Sequence, residues 1–317
     1  MKLVVQVPCL NEEKTILPVL KSIPKKIAGI DEIELLIIDD GSIDKTVKVA
    51  RDFGVKNFVS HPGTMGLARS FQDGINRALE LGADIVVNTD GDNQYPQNKI
   101  GDLVQPILRG EADIVIADRQ TQHITHFSWP KKLLQRFGSW VVNRAAGTKV
   151  PDAASGFRAY SRHSLVRLNV VTRFSYCMET IIQAGNKRMA IVSIPVVTNP
   201  KTRESRLFKS TRQHVFRSAS AIIRAYIMYK PYVIFSSLGI GLFVLGAVPF
   251  IRYLFYVVDG AGGNHLQSLI TGVVFLMGSF LSLTLGIIAD LIRINRILIE
   301  DSLEIVKSQK ASKGSKL

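Results

Sequence analysis

Two long apolar segments near the carboxyl end of the chain constrain its fold more than any other feature. Residues 231–251 and 266–288 contain no charged side chain. At 1.5 Å per helical residue, each segment is long enough to cross a hydrocarbon layer roughly 30 Å thick. We therefore predict a hairpin of two transmembrane helices within residues 231–296. The alternative, two buried helices of a soluble core, requires consecutive helices that are apolar on nearly every side.

The charges around these segments predict their orientation. Lys230 precedes the first segment, Arg293 follows the second, and the connection 259–267 contains no Lys or Arg. Because short cytoplasmic loops carry the excess of Lys and Arg, both flanks are predicted to be cytoplasmic and the connection external. The chain is thus expected to be a multi-pass protein of the cell membrane, with both termini in the cytoplasm. Residues 297–317 form the predicted cytoplasmic tail, disordered from Ser308 onwards.

A basic segment precedes the hairpin. Residues 201–230 contain eight Lys and Arg against the single acid Glu204, in a chain whose net charge is +14. Its position beside an apolar segment favours a lipid membrane or a lipid phosphate as its partner and argues against nucleic acid. Residues 206–230 also show helical periodicity, which predicts an amphipathic basic helix at the membrane interface. An ordinary surface helix is the alternative.

The first 205 residues are predicted to form one α/β domain. Short apolar runs alternate with helical patterns, which indicates βαβ units and a mainly parallel, Rossmann-like sheet buried on both faces. The predicted strands are 3–7, 34–38, 55–59, 84–89, 113–117 and 190–197. Ligands of such sheets bind at the carboxyl ends of the strands. The two cysteines, Cys9 and Cys177, are far apart in sequence and are expected to be reduced thiols.

Two carboxylates directly follow one of these strands. Asp90 and Asp92 lie two residues apart in the sequence TDGDNQ, so both can reach one hard divalent cation. Oxygen ligands suit Mg²⁺ or Mn²⁺, which commonly retains waters and substrate phosphates. The motif alone is common and often forms a solvated loop, but its position at a strand end favours a metal site.

Other polar residues follow the first and second strands. Asp39 and Asp40 could accept hydrogen bonds from a ribose or a base, as acidic residues do in dinucleotide folds. Turn and helix-cap chemistry explains them equally well. Pro8, Asn11 and Glu12 follow the first strand and are expected to face the same crevice.

The order of these motifs resembles a known family. The segments VPCLNEE (7–13), IIDDGS (37–42), GLARSFQDGI (66–75), TDGDNQYP (89–96) and DAASGFRAY (152–160) are similar to the successive motifs of family-two glycosyltransferases. They are most similar to the dolichyl-phosphate mannose synthase and polyprenyl-phosphate glycosyltransferase branch, including GtrB-like members with a carboxy-terminal membrane hairpin. Five ordered motifs are far more specific than any one of them.

The resemblance implies a GT-A fold, an inverting transferase and a role for each matched residue. The implied substrates are a nucleotide-diphosphate sugar and a polyprenyl or dolichyl phosphate. The residues implied to line the nucleotide-sugar pocket are Pro8, Leu10, Glu12, Ile38, Asp40, Asp90, Gly91 and Arg119. Those implied to hold the divalent cation, Mg²⁺ or Mn²⁺, are Asp90, Asp92 and Gln94. Those implied to border the acceptor are Asp152, Ser155 and Arg158.

The chain departs from the family pattern in two places. Where the family often has GxSK after the last strand, this chain has KTRESRLFK (201–209). Arg203, Arg206 and Lys209 are predicted to contact phosphate there, and their alignment with the family motif is left open. The usual Asn-x-Gly before the third helix is Thr64-Met65-Gly66.

The expected reaction is a single displacement at the anomeric carbon. A lipid monophosphate is largely dianionic at neutral pH and needs no general base, so positioning and charge stabilisation should dominate. Asp92 and Asp152 are the predicted catalytic residues, with Asp152 as either a base or an orienting carboxylate. A turn residue after Pro151 is the alternative for Asp152.

Three other functions compete with this interpretation. A processive polysaccharide synthase would carry a Q-x-x-R-W motif, which the sequence around Gln135 does not supply. A non-catalytic, membrane-bound nucleotide-sugar-binding protein would have no need of both Asp90 and Asp92. A nucleotidyltransferase would need a Gly-rich phosphate loop near the amino terminus, and none occurs. The oligomeric state is left open, a homo-oligomer being one option.

Overall fold

The computed structural model describes residues 1–121, 129–170, 176–200, 220, 227–260 and 262–314. Its strands are β1 (Lys2–Cys9), β2 (Glu32–Asp39), β3 (Asn57–Ser60), β4 (Ile85–Asn88), β5 (Ile114–Asp118), β6 (Arg158–Ser161) and β7 (Ile191–Pro195). Its helices are α1 (Ile16–Ser22), α2 (Thr46–Phe53), α3 (Leu67–Glu80), α4 (Ile100–Leu108), α5 (Trp129–Ala146), α6 (Arg162–Arg167), α7 (Tyr176–Asn186), α8 (Pro231–Val258) and α9 (Leu266–Gly314).

The seven strands form one sheet in the order β3-β2-β1-β4-β6-β5-β7. Only β6 is antiparallel, to both β4 and β5. The predicted mainly parallel sheet is confirmed, and its inner strands are buried along nearly their whole length. Such continuous apolar runs form because helices cover both faces of a parallel sheet.

The strand order places a crevice beside β1. The chain runs outward from β1 to β2 and β3 and then returns to β4 on the other side of β1. The loops that follow β1 and β4 therefore diverge at a topological switch point, where sheets of this kind bind ligands. These are the loops that carry Glu12, Asp90 and Asp92.

Residue contacts divide the chain into two compact units, Met1–Ile223 with Glu300–Leu317, and Arg224–Ile299. The predicted boundaries at 205, 230 and 296 remain predictions. The predicted interface helix over 206–230 lies almost entirely outside the described residues.

The second unit contains the two apolar segments. Both α8 and α9 are long and apolar enough to cross a membrane, and α8 extends seven residues beyond the predicted end at Ile251. Only 11% and 22% of their most apolar stretches are buried, which argues against the buried helices of a soluble core. Glycines let the two helices approach closely: a Cβ on Gly246 would lie 2.9 Å from the carbonyl oxygen of Gly272. Ser279 also donates a hydrogen bond to the carbonyl of Gly239 (2.8 Å).

The carboxyl-terminal tail differs from the sequence-based expectation. Disorder from Ser308 is wrong, because α9 continues as a helix to Gly314. Within the first unit, Lys307 donates to the carbonyl oxygen of Leu168 (2.7 Å) and Glu304 pairs with Arg167 (3.4 Å). Burial lowers the pKa of Lys307 to about 8. The helix thus docks through Glu304 and Lys307, which lie just before the segment predicted to be disordered.

Candidate active site

The loops after β1 and β4 meet at Gly91. A Cβ on Gly91 would lie 3.0 Å from Sγ of Cys9 and 3.4 Å from both Cγ of Glu12 and the carbonyl oxygen of Pro8. A Cβ here would make a tighter contact than is usual, so its neighbours would have to shift by a few tenths of an ångström. Glycine at the centre of TDGDNQ therefore lets the loop that carries Asp90 and Asp92 pack closely against the end of β1.

The crevice is strongly acidic. Burial and then the nearby carboxylates of Glu12, Asp39 and Asp90 raise the pKa of the Cys9 thiol well above its ordinary value. Carboxylates at or just beyond the ends of three strands therefore act on one buried atom. Cys9 itself is a buried thiol, as predicted, and the raised pKa makes it a poor nucleophile.

A divalent cation fits this donor set. Hard cations bind carboxylate oxygens and neutralise such clusters. Among the described residues, however, no group of three or more His, Cys, Asp or Glu side chains is assembled for a metal. The protein would therefore supply one or two carboxylates, with substrate phosphate and water completing the shell, as is usual for Mg²⁺.

Hydrogen bonds shape the loop that carries Asp92. Its carboxylate accepts from the backbone N–H of Gln94 (3.1 Å) and from Nε2 of Gln94 (2.8 Å). Asn93 between them has a left-handed backbone, with φ of 59°. Asn199 stabilises this turn by donating from its side chain to the carbonyl of Asn93 (3.0 Å) and from its backbone to that of Gln94 (2.9 Å). The side-chain amide nitrogen of Gln94 thus orients Asp92. The side-chain carbonyl oxygen of Gln94 remains as a possible metal ligand.

Strand β6 brings residues 152–156, which we call the acceptor-side loop after their predicted role, close to Asp90. A Cβ on Gly156 would lie 3.5 Å from both carboxylate oxygens of Asp90. Gly156 donates from its N–H to the hydroxyl of Tyr95 (3.0 Å), and its carbonyl accepts from Asn88 (2.9 Å) and Tyr176 (3.2 Å). Buried polar groups that are fully bonded in this way fix the loop 152–156 against the end of β4.

Arg119 and Asp152 form a two-pronged ion pair. Nε and Nη2 of Arg119 lie 2.6 and 2.9 Å from the two carboxylate oxygens of Asp152, whose side chain is 4% exposed. Burial alone would raise the pKa of Asp152, but the Arg119 guanidinium holds it below its ordinary value. A carboxylate with a lowered pKa is a weak base. The geometry therefore favours the orienting role predicted for Asp152 over the role of a base.

Arg158 lies inside the protein, and its predicted place beside the acceptor stays a prediction. The side chain is fully buried and donates to the carbonyls of Ala153, Ser155 and Cys177 and to the hydroxyl of Thr180. These bonds tie the loop 152–156 to α7. Arg158 therefore stabilises the loop 152–156 from its buried side.

Ser155 has a different environment. Its hydroxyl oxygen is buried and has no hydrogen-bond partner within the described part of the chain. An unpaired buried hydroxyl is costly, so a ligand or water that reaches this loop would find a polar group to bond. The predicted acceptor role of Ser155 stays a prediction.

The carboxylate of Asp40 makes several hydrogen bonds within the protein. It accepts from the backbone N–H groups of Met65 and Gly66 (both 2.9 Å) and contacts Nδ1 of His61 (2.9 Å). These bonds hold the segment that leads into α3. The predicted place of Asp40 in the nucleotide-sugar pocket stays a prediction. Asp39 is better placed than Asp40 to contact a nucleotide. In the described part of the chain its side chain accepts a hydrogen bond from the backbone of Ser42, and this bond uses one of its two carboxylate oxygens.

Ile38 belongs to the core. Its side chain is fully buried, and a Cβ on Gly74 of α3 would lie 3.0 Å from it. Its predicted place in the nucleotide-sugar pocket stays a prediction. Pro8 is buried below the crevice with its carbonyl towards Gly91, and Leu10 is half-buried at the start of the following loop.

The remaining predicted contacts, Arg203, Arg206 and Lys209, lie outside the described residues. Conversely, sequence reasoning missed Asn88, Tyr95, Tyr176 and Asn199. Tyr95 lies in the motif TDGDNQYP, so its position in the sequence could have indicated that it belongs to the site. The other three are recognisable only from tertiary contacts.

With this geometry in view, comparison with known proteins identifies the family. The chain matches the family model described as Glycosyl transferase family 2 over residues 4–168. That match covers more than half of the chain, which therefore belongs to this family and is a glycosyltransferase.

Relatives place it more narrowly. Over 308 residues it is 26% identical to the dodecaprenyl-phosphate galacturonate synthase of Rhizobium johnstonii, covering 90% of this chain and 86% of the relative. It is also 26% identical over 213 residues to the UDP-N-acetylglucosamine–dolichyl-phosphate N-acetylglucosaminyltransferase of Methanococcus voltae, covering 61% and 83%. These names confirm the resemblance to the polyprenyl- and dolichyl-phosphate branch.

A solved structure confirms the GT-A fold. Glucosyl-3-phosphoglycerate synthase of Mycobacterium tuberculosis, in complex with Mn²⁺, UDP and glucosyl-3-phosphoglycerate, superposes with a TM-score of 0.54 at 26% identity. The similarity covers 71% of this chain and 78% of that one.

Proposed function

We propose that this chain transfers a sugar, with inversion, from a nucleotide-diphosphate sugar to a polyprenyl phosphate of the dolichyl type. The product is a polyprenyl-phosphate-linked monosaccharide for glycan or glycoprotein assembly. One observation carries the proposal: the loops after β1 and β4 meet at Gly91, which brings Glu12 and Asp90 together at the end of a GT-A sheet. Relatives named for lipid-phosphate acceptors support the choice of acceptor.

The donor would bind where the loops after β1, β2 and β4 meet. Asp90 and Asp92 would hold a divalent cation, with the carbonyl oxygen of Gln94 as a further ligand. A bound Mg²⁺ or Mn²⁺ neutralises the charge that grows on a leaving diphosphate. Glu12, Gly91 and Asp39 would then line the nucleotide side. Mn²⁺ and UDP in the related synthase structure support this assignment.

The acceptor would approach from the loop 152–156. A phosphate monoester is mostly dianionic near neutral pH, so the attacking oxygen is already deprotonated. This fits the lowered pKa of Asp152, because no group needs to remove a proton. The Arg119–Asp152 pair would instead keep Ser155 and Gly156 beside the donor site.

The membrane would hold the lipid acceptor at the same surface. Helices α8 and α9 support membrane attachment by their length and composition, and the Lys and Arg on both flanks support a cytoplasmic catalytic domain.

Cysteine labelling of Gly263→Cys in intact cells tests the orientation. A connection that labels only after the cells are opened would contradict it.

The product assay tests the function directly. Membranes that contain the chain are incubated with a panel of radiolabelled nucleotide sugars, and the lipid fraction is extracted. One sugar should appear as a lipid-linked monosaccharide. A growing polymer would favour the processive synthase, and donor binding without turnover would favour the non-catalytic binding protein.

Arg206 provides a sharper prediction about the acceptor. If it contacts the lipid phosphate, Arg206→Ala should slow transfer about ten- to a hundredfold, because a charge-assisted contact is worth roughly 1.5–3 kcal/mol. Arg206→Lys should restore the rate only in part, since the two-pronged geometry is lost. The measurement is the initial rate with a short-chain, detergent-soluble polyprenyl phosphate.

The short-chain acceptor removes the membrane-surface contribution. If the basic segment only attracts anionic lipid, each residue is worth about 1 kcal/mol at a membrane and Lys should substitute fully. An unchanged rate for Arg206→Ala in this assay would contradict the contact and leave the segment as a membrane-binding face.

A further inference from the structure

Helix α5 carries an apolar surface that the proposed reaction does not use. Leu133, Phe137 and Trp140 are 53%, 58% and 61% exposed, and their spacing places them on one side of the helix. The rings of Phe137 and Trp140 stack with their centroids 5.9 Å apart. We call these three residues the α5 apolar face.

The opposite side of α5 belongs to the core of the first unit. Val142 and Ala145 are essentially buried, so the helix is anchored by one face while the other stays exposed. An exposed group of two aromatic residues and a leucine is typical of a surface that binds another apolar surface.

The charge of α5 identifies the kind of partner. The helix has four Lys and Arg and no acidic residue over its 18 positions. Arg136 and Arg144 are exposed, and both lie on the side of the α5 apolar face. Aromatic residues with flanking cations suit the boundary between acyl chains and anionic head groups. An apolar protein groove would have no need of these cations.

The buried side of α5 contacts the acceptor-side loop. The hydroxyl of Ser139 accepts from the backbone N–H of Ala153 (3.2 Å). Asn143 exchanges two hydrogen bonds with the backbone of Val150, at 2.8 and 2.9 Å. One helix therefore supports the loop that carries Asp152 on one side and exposes an apolar, basic face on the other.

We propose that α5 docks in the plane of an anionic membrane surface through Leu133, Phe137 and Trp140. The docked helix holds the acceptor-side loop at the depth of a lipid phosphate. This inference rests on the proposed membrane attachment, and it adds a second, non-spanning contact between the catalytic unit and the bilayer.

Trp140 makes the docking measurable in the full chain. The sequence has two tryptophans, so Trp129→Phe leaves Trp140 as the single fluorophore. The chain is reconstituted into vesicles of phosphatidylcholine and phosphatidylglycerol with or without brominated acyl chains. Flotation of the chain with the vesicles tests attachment, and quenching by bromine tests docking.

We expect the emission of Trp140 to be blue-shifted and to fall by at least about half with brominated lipid, since interfacial helices bury their apolar face about 5–10 Å deep. A matched control replaces both tryptophans by Phe and places Trp at the exposed Lys48 of α2, where the emission should not change. A chain that floats while Trp140 is unquenched would overturn the docking. A chain that fails to float would overturn the attachment and the docking together.

Activity gives an independent measurement. The double variant Phe137→Ser, Trp140→Ser should transfer sugar to a long-chain acceptor in vesicles about tenfold more slowly, because its apolar face no longer holds the interface. With a short-chain acceptor in detergent, its rate should equal that of the parent chain, which also shows that it is folded. Equal losses in both assays would overturn the proposal. So would crosslinking of Trp140→Cys between two chains without lipid quenching, which would assign the face to a second copy.

Discussion

Replacing Asp92 by alanine should remove nearly all sugar transfer and leave the chain folded. Asp92 lies on a partly exposed turn and contributes nothing to the apolar core, so its removal should cost little stability. Its carboxylate is instead a main source of charge for the proposed cation. Metal stabilisation of a leaving group is worth several kcal/mol, and each 1.4 kcal/mol is tenfold in rate. The initial rate should therefore fall at least about a thousandfold.

Two further variants separate the charge of Asp92 from its role in the turn. Asp92→Asn keeps an acceptor for the backbone N–H of Gln94 but removes the charge, and it should be nearly as inactive as the alanine variant. Asp102→Ala on α4 removes an exposed acid that pairs only with Lys99 within the described chain and should be neutral. An active Asp92→Asn, or full activity of Asp92→Ala in the presence of a chelator, would contradict the metal assignment.

Much of the sheet could be predicted because its strands are self-evident in sequence. Runs such as Leu3–Val7 are mostly apolar and contain three valines, which is typical of a parallel strand buried on both faces. Strand β6 could not be found in this way. It is four residues long and begins with Arg158, and its strand character arises from pairing with β4 and β5.

The same difference between local sequence pattern and tertiary contacts applies to the candidate site. The position of Asp90 and Asp92 at a strand end could be predicted, because it depends only on where the strand ends. The side-chain directions of Ile38, Asp40 and Arg158 could not be predicted, because they depend on tertiary contacts. Asp40 turns to the backbone that leads into α3. Arg158 turns inward to the nearby carbonyls of Ala153 and Ser155 and to the distant carbonyl of Cys177 on α7.

The Arg119–Asp152 pair provides the second large prediction. Arg119→Leu should destabilise the protein by about 3 kcal/mol, near the lower end for a broken buried pair because Arg119 is 17% exposed. Asp152→Leu should cost a similar amount, since it leaves the buried guanidinium unpaired. The double variant should be more stable than either single one, because no uncompensated charge remains. Thermal unfolding of the four proteins in one detergent measures this coupling, and additive losses would contradict it.

The same pair decides whether Asp152 acts as a base. Its pKa is lowered in the folded protein, so its stabilising charge is present above the ordinary value near 3.9 and is lost only as the pH falls through the lower, folded value. Between pH 5 and 8 Asp152 should not titrate. The acceptor phosphate has a second pKa near 6 and takes up a proton within that range. This alone should make kcat fall as the pH is lowered. Asp152→Asn should therefore lower kcat through a displaced loop while leaving the shape of the pH profile unchanged. If the acid limb of the profile instead disappeared in Asp152→Asn, Asp152 would be the group that titrates, and the orienting role would have to be replaced by that of a general base.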